Sequence, residues 1–253
     1  MLKIRLIPTL LWQEYGLVKG VQFNSSRRVG PILPVIKVYN ARDVDEIMLC
    51  DVGATSKNVE PNYALVKEVA KDCCVPLTVA GGISRLEHIE KLLIAGADKV
   101  ALNSSLYSNP SLLNEAAGRF GSQCIMASVD AKRNENRWIC VSDSGAKIQY
   151  EEPFNWARQL ADRGAGEILI TSIDQDGTMS GYDLGLVDSV CGSVGVPVIA
   201  SGGAGGATHM LEVLRNSNVS AMAAASIFHF TEITPLDIKK ELSEFGIPVR
   251  IGI

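Results

Sequence analysis

The feature that most constrains this chain is that its two halves resemble one another. The segment 75–82 (VPLTVAGG) matches 196–203 (VPVIASGG) at an offset of 121 residues. The same offset carries 46–49 (EIML) onto 167–170 (EILI), and 103–106 (NSSL) onto 224–227 (AASI). A duplicated unit of this size has to be a supersecondary assembly that buries its apolar face against its own copy.

Short β-rich runs alternate with segments of helical period on both sides of that repeat. Strands are expected over 3–10, 46–51, 76–79, 99–102, 125–129, 167–171, 198–200 and 221–224, and helices over 85–95, 153–163, 185–192 and 208–215. Such alternation implies a parallel sheet with crossover helices. An open doubly wound sheet has no reason to repeat internally, whereas four βα units taken twice close into an α/β (β/α)₈ TIM barrel. One barrel over 1–253 is expected, with half-repeats of about 1–120 and 121–253. No Pro/Ser-rich linker divides it, and 137–150 (RWICVSDSGAKIQY) reads as a hairpin inserted after the fifth strand.

Composition narrows the function classes. The chain has 24 Lys+Arg against 28 Asp+Glu and a net charge of −4, so it has no cationic surplus for phosphate backbones and nucleic acid is not an expected partner. At 47% hydrophobic and 21% charged it is too apolar for disorder. No run of about 18 apolar residues is present, so no membrane span is expected. Lys3 and Arg5 interrupt the only apolar stretch at the start, which argues against a signal peptide. The six cysteines (Cys50, Cys73, Cys74, Cys124, Cys140, Cys191) form no CxxC pair and lie far from His88, His209 and His229. Zinc and disulfide readings therefore fail on spacing, no metal or other cofactor is expected, and reduced core cysteines in a cytoplasmic protein are.

In a barrel of this kind the working residues sit where strands run out into βα loops. Gly81-Gly82 and Gly202-Gly203 follow two apolar strands, and the next strands end in Asn103-Ser104 and Ala225-Ser226. Glycine admits close approach of a phosphate to the backbone, and a helix start offers free N–H groups. Ordinary turn chemistry explains one such pair equally well; its duplication favours two related anion pockets. Two pockets across one mouth suit a long ligand with a phosphate at each end. Asp51, Asp130 and Asp176 are acidic candidates at the same face. Asp130 ends an apolar run and reads either as a general acid/base or as a cap on the following segment. Asp176 lies in 174–178 (DQDGT), which as a surface turn needs no ligand. His229 reads as a structural histidine. Trp12 either lines the mouth or packs beneath the first loop.

The stretches VPLTVAGGI, ILITSIDQDGTMSGYD, VIASGGAG, ASIFHF and SVDAKR resemble the cyclase subunit family of imidazole glycerol phosphate synthase, over essentially the whole chain. The resemblance implies a (β/α)₈ barrel that takes ammonia from a glutaminase subunit. In that family the ammonia reacts at the barrel mouth with a doubly phosphorylated ribulosyl nucleotide. Carried over by position, Asp130 matches one of two catalytic carboxylates, and Lys19 matches a lysine in a flexible first loop that closes over substrate. Gly82, Asn103 and Ser104 match one phosphate site; Asp176, Gly177, Gly203 and Ser226 match the other. Asp51 and Thr171 stand among the substrate-binding positions. Arg5, Glu46, Lys99 and Glu167 open strands 1, 2, 4 and 6 and match a four-residue ammonia gate at the barrel bottom. Asp98 matches a residue that helps dock the glutaminase.

The departure is at the first strand. The family ends it in Cys-Leu-Asp-Val, whereas this chain has Thr9-Leu10-Leu11-Trp12, so Leu11 holds the position of the main acid/base and falls opposite Asp130 in the repeat. The first loop also differs, with Arg27-Arg28-Val29-Gly30-Pro31 in place of an acidic segment. Loss of a general acid/base costs roughly 10²–10⁴ in rate. The pattern therefore suggests an ammonia-channelling subunit whose acceptor has changed. Paralogues of the family in surface-polysaccharide (lipopolysaccharide O-antigen) gene clusters imply one. There, with a glutaminase and a third, ATP-dependent amidotransferase-like protein, an acetamido sugar nucleotide becomes an acetamidino sugar. The alternatives are the ring-closing synthase of histidine biosynthesis itself and a catalytically silent scaffold that activates the glutaminase.

Overall fold

The structure is a computed structural model that describes residues 3–14 and 16–252. Met1 and Leu2, where the reading of the chain's start begins, lie outside the described residues. Strand β1 (Arg5–Gln13) runs into a hairpin of β2 (Gly16–Val21) and β3 (Asn24–Gly30), followed by α1 (Ile32–Asn40) and β4 (Ile47–Asp51). Then come α2 (Tyr63–Asp72), β5 (Leu77–Ala80), α3 (Leu86–Ala95), β6 (Lys99–Leu102), α4 (Ser104–Ser108) and α5 (Ser111–Phe120). The second half opens with a meander of β7 (Ile125–Asn134), β8 (Arg137–Ser142) and β9 (Lys147–Ile148), then α6 (Pro153–Asp162) and β10 (Glu167–Ser172). It finishes with α7 (Leu184–Cys191), β11 (Val198–Ser201), α8 (Ala207–Asn216), β12 (Ala221–Ala224), α9 (Ser226–Phe230) and α10 (Pro235–Glu244).

Parallel pairing runs from β1 through β4, β5, β6, β7, β10, β11 and β12 and returns to β1, so the eight strands close as a (β/α)₈ barrel. Closure removes the edges that an open sheet must protect. Alternation within each strand splits the core in two. Ile7, Met48, Ala101, Met126, Leu169, Ile199, Ala221 and Ala223 fill the barrel interior. Their neighbours, such as Leu6, Leu49, Val100, Ile168 and Ala200, face the helix layer. The helices turn apolar stripes to that layer; in α3, for example, Ile89 and Leu92 are buried. Local signals start and stop them. Asn62 and Asp183 accept amides at the starts of α2 and α7, Thr234 and Asp237 form a capping box on α10, and Gly96 ends α3 at φ +110°.

Several expectations need correction. The fifth barrel strand does not stop at residue 129: it runs to Asn134, because its last residues pair antiparallel with β8, from Asp130↔Val141 to Asn134↔Arg137. The expected hairpin is present, as β8 against β9, and the extended β7 joins it to make a three-stranded meander. The first strand likewise continues to Gln13 and pairs with β2, giving Leu11↔Val18. The gap-free offset also fails locally. Leu11 pairs with Cys50 and Asp130 with Thr171. Cys50 and Thr171 are themselves equivalent at 121, so Leu11 does stand opposite Asp130, but at an offset of 119. In the last unit Ala80↔Ala101 answers Ser201↔Ala223, which sets Ser104, not Ser105, opposite Ser226. Small length changes in the loops absorb these shifts while the barrel register is kept. Among the described residues the cysteines are all free, yet only Cys140 is fully buried and Cys74 is exposed.

Candidate functional site at the barrel mouth

The C-terminal ends of the barrel strands surround a cavity of about 860 Å³. Leu11, Lys19, Asp51, Gly82, Asn103, Ser104, Asp130, Thr171, Asp176, Gly177, Gly203 and Ser226 all line it. Alternation explains which residues of β1 reach it: Thr9, Leu11 and Gln13 point in, while Trp12 lies outside the lining and packs against the core from behind. Leu11 therefore presents a side chain without any proton to exchange, at the position facing Asp130.

Asp130 is not a cap. It sits within β7, and its Oδ2 accepts a hydrogen bond from the Asn103 side chain at 2.7 Å. Burial first, then the nearby Asp176 carboxylate, push it up to about 7, against the hydrogen bonds from Asn103 and Ser128. Near neutrality it is therefore poised to give or take a proton. Because its folded value lies above the unfolded one near 3.8, its ionisation costs stability: nothing below pH 4, progressively more from there to pH 7, and the full amount above. Asp130→Asn is accordingly expected to leave stability at pH 4 unchanged and to raise it at pH 8 by about 1–3 kcal/mol, less than the bare shift because the cavity admits water. Urea unfolding at both pH values checks this; an equal effect at both would show that the carboxyl is not held against ionisation.

The remaining polar groups are fixed by their own contacts. Lys19, 2% exposed on β2, holds both Asp176 oxygens at 2.8 and 2.9 Å. The Gln22 amide and side chain bond the carbonyls of Asp176 and Asp174, and Asp174 accepts the Arg133 amide at 2.6 Å. Residues 174–178 are thus no free surface turn, and the first loop is a β-hairpin docked upon them. Breaking a buried pair by removing one partner costs about 3–5 kcal/mol, more than a two-stranded hairpin can bear. Asp176→Ala should therefore undock the hairpin rather than unfold the barrel. Trypsin cleavage after Arg27 and Arg28 should accelerate at least about 10-fold with little change in Tm; an unchanged cleavage rate would dismiss the pair as the latch. Asp51 Oδ1 accepts the Gly53 and Ala54 amides at 2.9 and 3.0 Å and shapes its own loop, while burial raises its carboxyl above the usual range. Burial and the Lys19 charge bring His229 down to about 4, against a hydrogen bond with the Thr9 backbone. Its ring meets Tyr39 edge-on at 6.4 Å outside the cavity, which suits a structural histidine.

The glycine pairs have a packing reason of their own. A Cβ on Gly81 would lie 2.2 Å from the Asp51 carbonyl, and one on Gly202 would lie 2.5 Å from the equivalent Ser172 carbonyl. Both take positive φ, +104° and +92°. What faces the cavity beside them is a set of buried polar atoms without a protein partner, Asn103 Oδ1, Ser105 Oγ and Ser226 Oγ. Atoms left in this way call for water or a polar ligand. Among the described residues no group of three or more His, Cys, Asp or Glu is arranged to hold a metal ion.

At the opposite end of the barrel, Arg5 bonds Glu46 at 3.0 Å and Glu167 at 2.7 Å, and Lys99 bonds the same two at 3.1 and 2.8 Å. The four side chains close a ring of alternating charge around the barrel axis. Glu46 lies one residue ahead of β4 rather than opening it, and it also accepts the Thr78 hydroxyl at 2.6 Å. Asp98, exposed on the same end, accepts the Leu77 amide at 2.8 Å and so anchors the start of β5.

Sequence reasoning missed a cluster beside the first glycine pair: Glu60, Arg85 and His88, all lining the cavity. The signal was available, since His88 and His209 stand 121 residues apart.

A closed eight-stranded barrel with register-equivalent halves, a carboxylate-bearing polar cavity at its mouth and a charged ring at its foot defines a duplicated (β/α)₈ class. A family model described as histidine biosynthesis protein matches residues 5–234, and the chain belongs to that family. Two relatives described as imidazole glycerol phosphate synthase subunit HisF, from Caulobacter vibrioides strains NA1000 / CB15N and ATCC 19089 / CIP 103742 / CB 15, are each 41% identical over 253 residues. The match covers 99% of this chain and 97% of theirs.

Proposed function

We propose that this protein is an ammonia-channelling synthase subunit: it docks a glutaminase at the charged foot of the barrel and passes ammonia to the mouth. There the ammonia amidinates an acetamido sugar nucleotide in surface-polysaccharide biosynthesis, with a third, ATP-dependent protein activating the amide. One observation carries the reading. Arg5, Glu46, Lys99 and Glu167 form a salt-bridged ring at the foot, where the resemblance implies an ammonia gate with Asp98 beside it, while Leu11 lines the mouth at the position where the resemblance implies the main acid/base. Lys19, Asp51, Gly82, Asn103, Ser104, Thr171, Asp176, Gly177, Gly203 and Ser226 would then hold a phosphorylated ligand, and Asp130 would remain able to exchange a proton there. A neutral, self-paired ring around the axis admits an uncharged molecule more readily than an ion, which must shed its hydration shell to enter an apolar interior lined by Met48, Met126 and Leu169.

A second reading, the cyclase subunit of imidazole glycerol phosphate synthase in histidine biosynthesis, is favoured by the 41% identity to proteins so described. A silent glutaminase-activating scaffold is the third; the unpartnered polar atoms of the mouth weigh against it. The test is reconstitution with the glutaminase and the third protein, following [¹⁵N]amide from glutamine. Label in the amidine of the sugar product is expected. Ring closure to imidazole glycerol phosphate at an ordinary synthase rate would overturn the proposal in favour of the second reading, and glutaminase stimulation without transfer would favour the third.

A further inference from the structure

The two anion pockets are not equal, and the difference lies in one side chain. Barrel register makes Ser84, Arg85 and His88 equivalent to Gly205, Gly206 and His209. The histidines behave alike: the Ser84 amide lies 3.3 Å from His88 Nδ1, and the Gly205 amide 3.2 Å from His209 Nδ1. Only the first side carries an arginine. Its Nε and Nη2 lie 3.0 and 2.8 Å from His88 Nε2, and Nη2 also donates to Glu60 Oε1 at 2.6 Å.

A guanidinium can only donate, so His88 Nε2 must accept. Its Nδ1 lies 3.1 Å from the Gly82 carbonyl and 3.3 Å from the Ser84 amide. His88, 3% exposed, thus links the arginine to the backbone of the first glycine pair. These contacts use Nε and Nη2 alone and leave the Nη1 end of a side chain that is 58% exposed at the cavity wall. The cavity also reaches further on this side. Beyond the glycine pair it takes in Asn58, Arg85, Ser108 and Asn109, whereas on the other side it stops at Ala204 and Ser226.

We propose that Arg85 is a specificity-determining anion-binding residue, and that the group taken on its side of the mouth is a diphosphate rather than a single phosphate. The inference rests on the proposed binding of a phosphorylated ligand and adds which end carries the extra charge. Asn103, Ser104 and the Gly82 loop would take the inner phosphoryl group. Arg85, fixed by His88 and Glu60, would turn its remaining donors to the outer one, a fork geometry that suits phosphate oxygens.

The test uses the full chain and two probes, inorganic phosphate and inorganic pyrophosphate, read by calorimetry and by amide NMR shifts at Gly82, Asn103 and Gly203. Pyrophosphate is expected to bind about 10-fold tighter than phosphate and to shift Gly82 and Asn103 most. Arg85→Gly, which copies the second side, should remove that 10-fold preference and change phosphate affinity less than about twofold. In the converse variant Gly206→Arg, the preference should arise at Gly203. Position 206 accepts the change, because its φ of 173° is ordinary extended backbone and a Cβ there would meet nothing within 4 Å. If both probes shift the pocket amides but Arg85→Gly leaves the pyrophosphate-to-phosphate affinity ratio unchanged, this inference falls and the anion pockets stand. If neither probe shifts Gly82, Asn103 or Gly203, both fall together.

Discussion

Replacing Leu11 by aspartate is expected to raise the ring-closing rate of the glutaminase-coupled protein by about 10²–10⁴-fold. The reason is geometric. Leu11 lies on the cavity-facing side of β1, level with Cys50 on β4, as Asp130 lies on the cavity-facing side of β7 level with Thr171 on β10. A carboxyl at position 11 would enter the same cavity from the opposite wall and restore the pair of proton-transfer groups. Leucine and aspartate differ little in length, and the site borders open cavity, so the exchange leaves the barrel intact; Tm serves as the control. Cys50 cannot stand in. Burial and then the carboxylates of Asp130 and Asp51 push its thiol up to about 12, so it holds its proton at any pH the protein meets. Imidazole glycerol phosphate production by wild type and Leu11→Asp, each with glutamine and with ammonium salt, is the measurement. A variant no faster than wild type would mean that position 11 is not what separates this protein from a cyclase. A wild type already at full rate would make the acceptor proposal untenable.

The fold is legible in the sequence where one constraint dominates. Barrel strands buried on both faces read as short apolar runs, and two of them, at 99–102 and 221–224, have the predicted bounds. The cavity residues were legible for the same reason: once the strands are placed, their C-terminal ends have to converge. The first loop was not legible. In β3, Asn24–Gly30 (NSSRRVG), nothing alternates; it becomes a strand because β1 runs on beyond the barrel and offers β2 an edge, and β2 in turn offers one to β3. The extension of β7 escaped notice similarly, since the apolar run expected as a strand ends at residue 129 and Lys132 and Arg133 join it only through pairing with β8. The docking of that first hairpin onto residues 174–177 is a contact between loops on different strands, which no local pattern encodes. The Arg85–His88 pair was hidden for another reason: its histidine repeats at the fixed offset, but its meaning lies in the arginine that does not.

The ring at the barrel foot makes the last strong prediction. Glu46 is 1% exposed and accepts from Arg5, Lys99 and Thr78, so it pairs with two cations and satisfies a buried hydroxyl at once. Glu46→Ala strands the buried Thr78 hydroxyl and leaves Arg5 and Lys99 to share Glu167 alone. A fully buried pair broken in this way costs about 3–5 kcal/mol, and Arg5 and Lys99 retain some access to water, so a loss of about 2–4 kcal/mol is expected. The loss should not be spread evenly over the ring. Lys99→Gln alone leaves Glu46 held by Arg5 and should cost less, and in the double variant Glu46→Ala/Lys99→Gln the removal of one charge of each sign should restore part of the stability. Chemical denaturation of the single and double variants forms a cycle in which a coupling of at least about 1 kcal/mol is expected. A coupling near zero would reduce the ring to four independent surface charges. The same variants separate architecture from traffic. If the ring is the entrance for ammonia, the double variant, stable but gapped, should lower product formed from glutamine relative to product formed from free ammonium, because ammonia released by the glutaminase then leaks before it reaches the mouth. If both substrates fall together, the ring holds the barrel and nothing more.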